Sequence, residues 1–170
     1  MKKNNYKKIN KSYLKKNTQI FLILLLLVTY SCNNKNIVYN ENIIIPNSVW
    51  NMNKTMKFHT EINEINVPYN LYINVKHTEN YPAINLWLFI SSKSPEGNIQ
   101  IDTLECMLTN YKYEWLGKGR GDTKNAKIVF KDSVAFPVKG EYLIEIQHGM
   151  RTENLTEIMG IGLIIEKCSL

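Results

Sequence analysis

The chain has 170 residues and a formal net charge of +6, a balance that taken alone points to an anionic partner. The excess sits at one end, because Lys2, Lys3, Lys7, Lys8, Lys11, Lys15 and Lys16 precede any acidic residue, and without them 14 basic residues face 15 acidic ones. A near-neutral remainder with no helix-turn-helix, zinc-finger or RNA-binding signature removes nucleic acid from the expected partners.

Directly after the lysines, residues 20–28 are wholly apolar, the n-region and h-region order of a secretory signal. The run is far shorter than the ~20 residues that cross a bilayer core, so it reads as a cleaved signal rather than a stable span. Thr29, Tyr30 and Ser31 lead into Cys32. Lipoprotein processing needs a small residue just before a cysteine whose thiol accepts the diacylglyceryl group, and Ser31 and Cys32 supply both. Thr29 stands where such boxes usually carry leucine, and Tyr30 where they carry a small residue. The expectation is a lipoprotein signal peptide over 1–31 and a lipidated, palmitate-bearing Cys32 that holds the mature chain on a membrane. Residues 32–48 are Asn-rich without a clear period and read as a tether, with a short strand around 43–45. Asn33, rather than aspartate, after the cysteine favours sorting to the outer membrane, and the lack of an acidic cluster just after it favours a domain facing the periplasm over surface display.

From 49 to 170 the chain reads as one domain. Leu71, Ile73 and Val75 alternate with Tyr72, Asn74 and Lys76, the period-two pattern of a half-buried strand. Leu86, Leu88 and Ile90 form one face of the next strand, and Trp87 and Phe89 the other, which predicts a strand covered on both sides. Further strand segments fall at 98–108, 111–116, 126–130, 134–136, 141–147 and 158–166. Turn signals separate them: Val67-Pro68, Tyr81-Pro82, Ser94-Pro95-Glu96-Gly97, the glycines from Gly117 to Gly121, Phe136-Pro137 and Lys139-Gly140. No long stretch has a helical apolar face with caps. The expected fold is all-β: a single antiparallel β-sandwich of about seven to nine strands, immunoglobulin-like or jelly-roll-like.

Chemistry-bearing constellations are sparse. Gly117-Lys118-Gly119-Arg120-Gly121-Asp122 resembles an anion-cradling loop, yet it lacks the spacing of either phosphate fingerprint and the helix that would follow; it reads first as a structural turn. Lys118, Arg120 and Asp122, together with Trp115 beside them, are candidates for partner or ligand contact, since aromatic and arginine anchors are what interfaces concentrate. Trp50, Trp87 and Trp115 are the tryptophans that could stack on a sugar, with Trp87 favoured as core. His59, His77 and His148 show no zinc-ligand spacing, no serine sits in a Gly-x-Ser-x-Gly elbow, and Glu105, Glu114 and Asp122 are carboxylates with nothing to pair them. The expectation is a protein that is not an enzyme, with no cofactor and no metal. Cys106 and Cys168 either form one disulfide or stand as two small buried hydrophobes.

Several segments taken in order carry a family resemblance: Val67-Pro68-Tyr69-Asn70-Leu71-Tyr72-Ile73, Asn80-Tyr81-Pro82 with Asn85-Leu86-Trp87-Leu88-Phe89-Ile90, Asp102-Thr103-Leu104-Glu105-Cys106, Trp115-Leu116-Gly117 through Gly121-Asp122, Phe136-Pro137 followed by Gly140, and 147–151. Following a lipoprotein signal, they resemble the gliding motility lipoprotein GldH family of Bacteroidota over nearly all of the mature chain. The resemblance implies an envelope lipoprotein linked to gliding and to the type IX secretion machinery, with other gliding and secretion lipoproteins as partners and no catalytic residues. A glycan-binding envelope module is the competing function. Asp102-Thr103-Leu104 and Asp132-Ser133-Val134 also resemble the Asp-Ser/Thr-apolar acceptor of O-glycosylation in that phylum, which makes Thr103 and Ser133 candidate modification sites.

Overall fold

A computed structural model describes residues 36–168; the signal and Cys32 lie outside them. The described residues form ten strands: β1 (Ile37–Ile44), β2 (Val49–Asn51), β3 (Met56–Ile62), β4 (Tyr69–Thr78), β5 (Asn85–Lys93), β6 (Ile99–Met107), β7 (Thr123–Val134), β8 (Gly140–His148), β9 (Asn154–Thr156) and β10 (Ile158–Lys167). They pair antiparallel into a four-stranded sheet ordered β1-β10-β4-β7, a second ordered β3-β8-β5-β6, and a small β2-β9 pair. The two large sheets face each other across one core, which is the predicted antiparallel sandwich.

Alternation in the sequence decides which side chains fill that core. β3 is the clearest case: Met56, Phe58, Thr60 and Ile62 are buried while Lys57, His59 and Glu61 face out. Leu71, Ile73 and Val75 of β4, Leu86, Leu88 and Ile90 of β5, and Ile161, Leu163 and Ile165 of β10 meet the same core. Each such side chain contributes about 1.5–3 kcal/mol by leaving water. The β2-β9 pair closes one end of the sandwich with Trp50, which is fully buried. Its indole N–H donates to the Lys54 carbonyl at 2.7 Å, and its ring meets His148 edge-on at 5.3 Å.

Two parts of the sequence reading change here, and of the two alternatives for the cysteines one is found. Residues 37–44, read as tether, form an edge strand paired along β10, so β1 belongs to the sandwich and only residues 33–36 separate it from Cys32. The apolar positions of β1 were hidden among asparagines, one of which is structural: Asn74 Nδ2 donates to Asn42 Oδ1 at 2.9 Å over Gly162, whose missing side chain leaves the space. Residues 111–116 are not a strand but a loop, part of the 108–122 connection from β6 to β7. The disulfide between Cys106 and Cys168 is not formed, and both thiols are free. Cys106 lies in β6 paired opposite Leu86, whereas the Cys168 thiol contacts Asn70 at the start of β4, towards the other end of the sandwich.

The register fixes what each end carries. Ile37, Lys167, Tyr69 and Val134 share one end of the first sheet, the end at which β1 begins. The 108–122 connection lies at the opposite end, where Thr78 pairs with Thr123 and β10 starts beside His77.

Candidate functional site

β5 buries Leu86, Leu88 and Ile90 as expected, but among the described residues no second sheet covers its other face: Trp87 is 39% exposed and Phe89 is also exposed. This overturns the core assignment of Trp87. In β6 the side chains of Ile99, Ile101 and Met107 point to the same outer face, with Ile101 73% exposed. Cross-strand register sets Trp87 opposite Glu105, Phe89 opposite Thr103, Ser91 opposite Ile101 and Lys93 opposite Ile99. Phe89, Ser91 and Ile101 thus line a shallow depression of about 330 Å³, bounded by Glu145 and Gln147 of β8. Behind it Gly149 packs on the Phe89 ring, where a Cβ would come within 2.9 Å of a ring carbon, so the phenyl face is held rather than free to fold away.

Exposed aromatic residues also occur in the 108–122 connection that follows β6. Tyr111 and Tyr113 are 87% and 76% exposed, on a loop whose backbone is fixed by one side chain. Asn110 Oδ1 accepts from the N–H groups of Lys112 and Glu114 at 2.8 and 3.0 Å, and its amide donates to Glu114 at 2.8 Å. Tyr113 is held at φ 62°, a left-handed conformation that bulky residues avoid. Of the exposed large hydrophobics, Ile84, Trp87, Phe89, Ile99, Ile101, Met107, Tyr111, Tyr113 and Leu116 all belong to β5, β6 and their flanking loops.

The residues singled out from the sequence fare differently. Trp115 is half-buried and packs against His77 at 4.7 Å between ring centroids with the rings tilted by 57°; part of its indole is therefore occupied. Trp50 is buried and unavailable to a sugar. Lys118, Arg120 and Asp122 are exposed on the glycine turn, and Lys118 pairs through its backbone with Asn125 at 3.0 and 2.9 Å. The turn needs its glycines for close approach, since a Cβ on Gly119 would stand 1.8 Å from the Thr123 carbonyl oxygen. Thr103 is exposed on the outer face of β6, and Ser133 is exposed at φ 53° near the end of β7. Glu105 bonds to Asn85, Glu114 to Asn110, and Asp122 is on the glycine turn, so these three carboxylates are not brought together. Among the described residues no group of three or more His, Cys, Asp or Glu side chains is placed to hold a metal ion.

A cleft of about 340 Å³ opens between the sheets on the β6-β7 side, lined by Leu71, Phe130, Val134, Phe136, Tyr142 and Ile144 among others. Lys131 and Asp102 bridge it at 2.7 Å, both only a quarter exposed, and the second carboxylate oxygen of Asp102 is buried without a hydrogen bond. Burial pushes the Cys106 thiol up to about 12, which leaves it protonated and unreactive at neutral pH. The outer-face residues were legible as a strand face but not as exposed. No residue pattern distinguishes a two-sided strand from one with an open apolar side.

Fold and surface together define an antiparallel β-sandwich whose distinguishing feature is an uncovered apolar face rather than a catalytic cluster. The GldH lipoprotein family profile matches residues 37–165, and the chain belongs to this family. It is 32% identical over 155 residues to a gliding motility lipoprotein GldH homolog of Christiangramia forsetii, covering 87% of this chain and 94% of that protein. It is 31% identical over 159 residues to the gliding motility lipoprotein GldH of Flavobacterium johnsoniae, covering 89% and 97%. Among solved structures, a family GH115 4-O-methyl-alpha-glucuronidase gives a TM-score of 0.35 at 12% identity, over 81% of this chain and 17% of that one. Likeness at that level assigns nothing.

Proposed function

We propose that this chain is a non-enzymatic accessory component of the gliding motility and type IX secretion machinery. It is held at the outer membrane through acylated Cys32, faces the periplasm, and stabilises the assembly by docking a protein partner on the outer face of β5 and β6. The observation that carries this reading is the set of exposed apolar side chains on the outer face of β5 and β6, Trp87, Phe89, Ile99, Ile101 and Met107, with more in the flanking loops. Scattered exposed hydrophobics are ordinary, but a contiguous set marks an interaction surface. Family membership supplies the setting, through the names its relatives carry.

The test is crosslinking in native membranes followed by mass spectrometry, comparing the natural chain with Trp87→Asp and Phe89→Asp. Both side chains are partly exposed, so each change should cost about 1–2 kcal/mol of stability, leaving a folded chain by its melting transition, while recovery of gliding or secretion components falls at least tenfold. Undiminished recovery with both variants would rule the surface out. Specific retention on polysaccharide in place of protein partners would favour a glycan-binding module instead.

A further inference from the structure

Four strands end the two large sheets, and three of them carry features that block further pairing. β7 is broken by register shifts near Leu71, and its Lys124, Lys127 and Lys131 are each tied to a carboxylate. β1 has a register shift at its start. β3 alternates Lys57, His59 and Glu61 along its outer face, two of them paired to β8. Lysines, bulges and outward charges are the usual defences of a sheet edge. β6 is the least defended of the four: it pairs with β5 over Ile99–Met107 without a register shift, contains neither lysine nor proline, and carries one charge on its outer face, Glu105.

The direction of its free backbone groups follows from the two ends of that pairing. The Asn98 carbonyl accepts from Ser94 N–H at 2.8 Å, and Leu108 N–H donates to the Ile84 carbonyl at 2.9 Å. In an antiparallel ladder alternate residues bond to the same neighbour. Gln100, Asp102, Leu104 and Cys106 therefore bond to β5. Ile99, Ile101, Thr103, Glu105 and Met107 aim their N–H and C=O groups at the open edge, and their side chains onto the exposed apolar face. One strand thus offers a continuous row of unpaired backbone groups beside Phe89 and Trp87.

We propose that β6 receives an extended segment of another protein by strand addition, so that the partner becomes a fifth strand of the β3-β8-β5-β6 sheet. This rests on the docking face named above and specifies how that face is used. Asp102 turns inward and is paired to Lys131, so the charge that β6 presents on its outer face is the carboxylate of Glu105, with no cation on the strand. A second copy of this strand would bring only like charge, whereas a segment with alternate apolar residues and at least one lysine or arginine complements it.

The experiment places a photo-crosslinking benzoylphenylalanine at Ile99, Ile101, Thr103, Glu105 or Met107, one at a time, in the full-length chain in native membranes. Strand addition requires the adducts to step along one contiguous segment of one partner, advancing two residues for each two along β6. Adducts scattered over a partner's surface, or falling on this same chain, overturn it. With the crosslinker at Ile101, Thr103→Pro removes one edge N–H without touching the β5 ladder and should lower the adduct at least tenfold, while Thr103→Val keeps it within twofold. Should Phe89→Asp abolish the adduct and Thr103→Pro leave it intact, face docking stands and strand addition falls. If neither variant changes it, both readings fall.

Discussion

His77 and His148 are buried in the same half of the sandwich, and each is held as one neutral tautomer. His77 Nδ1–H donates to the Thr78 carbonyl at 2.8 Å, and His148 Nε2–H donates to the Trp50 carbonyl at 3.1 Å. The other ring nitrogen of His77 is buried with no partner, so protonation there would add a charge and a donor with nowhere to go, whereas the backbone of Glu153 near His148 offsets part of the burial. Burial accordingly pushes both below the ordinary histidine value of 6.5. The unfolded chain then binds more protons than the folded one once the pH drops under about 6.5, so stability is full above that value and declines below it. The limiting slope is about 1.4 kcal/mol per pH unit per histidine. The melting temperature should be flat from pH 8 to 7 and fall between pH 6.5 and 5. His77→Gln should shallow that fall, and an unchanged profile in the variant would show that His77 does not contribute.

Among the elements, β1 makes the most demanding packing claim. A Cβ on Gly162 would lie 2.2 Å from Asn42 Oδ1 and 2.9 Å from the Glu41 carbonyl oxygen, while on Gly160 it would lie 2.9 Å from the Ile43 carbonyl oxygen. Because the second obstacle at Gly162 is backbone, moving Asn42 aside does not solve it. Gly162→Ala should cost about 1–3 kcal/mol, the range of overpacked sites, and amide exchange of β1 should rise more than that of β3. Equal exchange in both strands would argue against a local effect. β1 also shows why sequence reading stopped short. Period-two burial made β4, β5, β8 and β10 legible, since their apolar residues alternate over long runs. β1 is an edge strand with Asn40, Glu41 and Asn42 at its centre, and its partner is supplied by β10 from the far end of the chain. β2 and β9 are three residues each, too short for a period. Trp87 and Phe89 failed for another reason: alternation reports two apolar faces but not whether a second layer exists to cover one.

For the molecule as a whole, the position of β1 matters for how the domain would stand in the envelope on the proposed lipidation of Cys32. Residues 33–36 span no more than about 18 Å from Cys32 to Ile37 at ~3.6 Å per residue. On the proposed lipidation, the end where β1 begins is kept near the bilayer, and Tyr111 and Tyr113 lie at the opposite end, one strand length away. Acyl chains contribute about 0.8 kcal/mol per buried methylene, far more than a near-neutral domain gains from surface charge. Cys32→Ala is therefore expected to move the chain into the soluble fraction after a salt wash, and full retention on membranes would mean that protein contacts alone hold it. The antiparallel β1-β10 ladder has a mechanical consequence as well. On the proposed lipidation and β6 docking, a pull between lipid and partner would enter the sandwich through the first residue of β1, and its component along that strand would load the ladder from Ile37 to Ile44 in shear, its bonds sharing the force instead of opening one by one. Resistance to that pull is a matter of how slowly β1 slides past β10, which makes the glycine-lined seam under Asn42 the coupling through which tension reaches the fold.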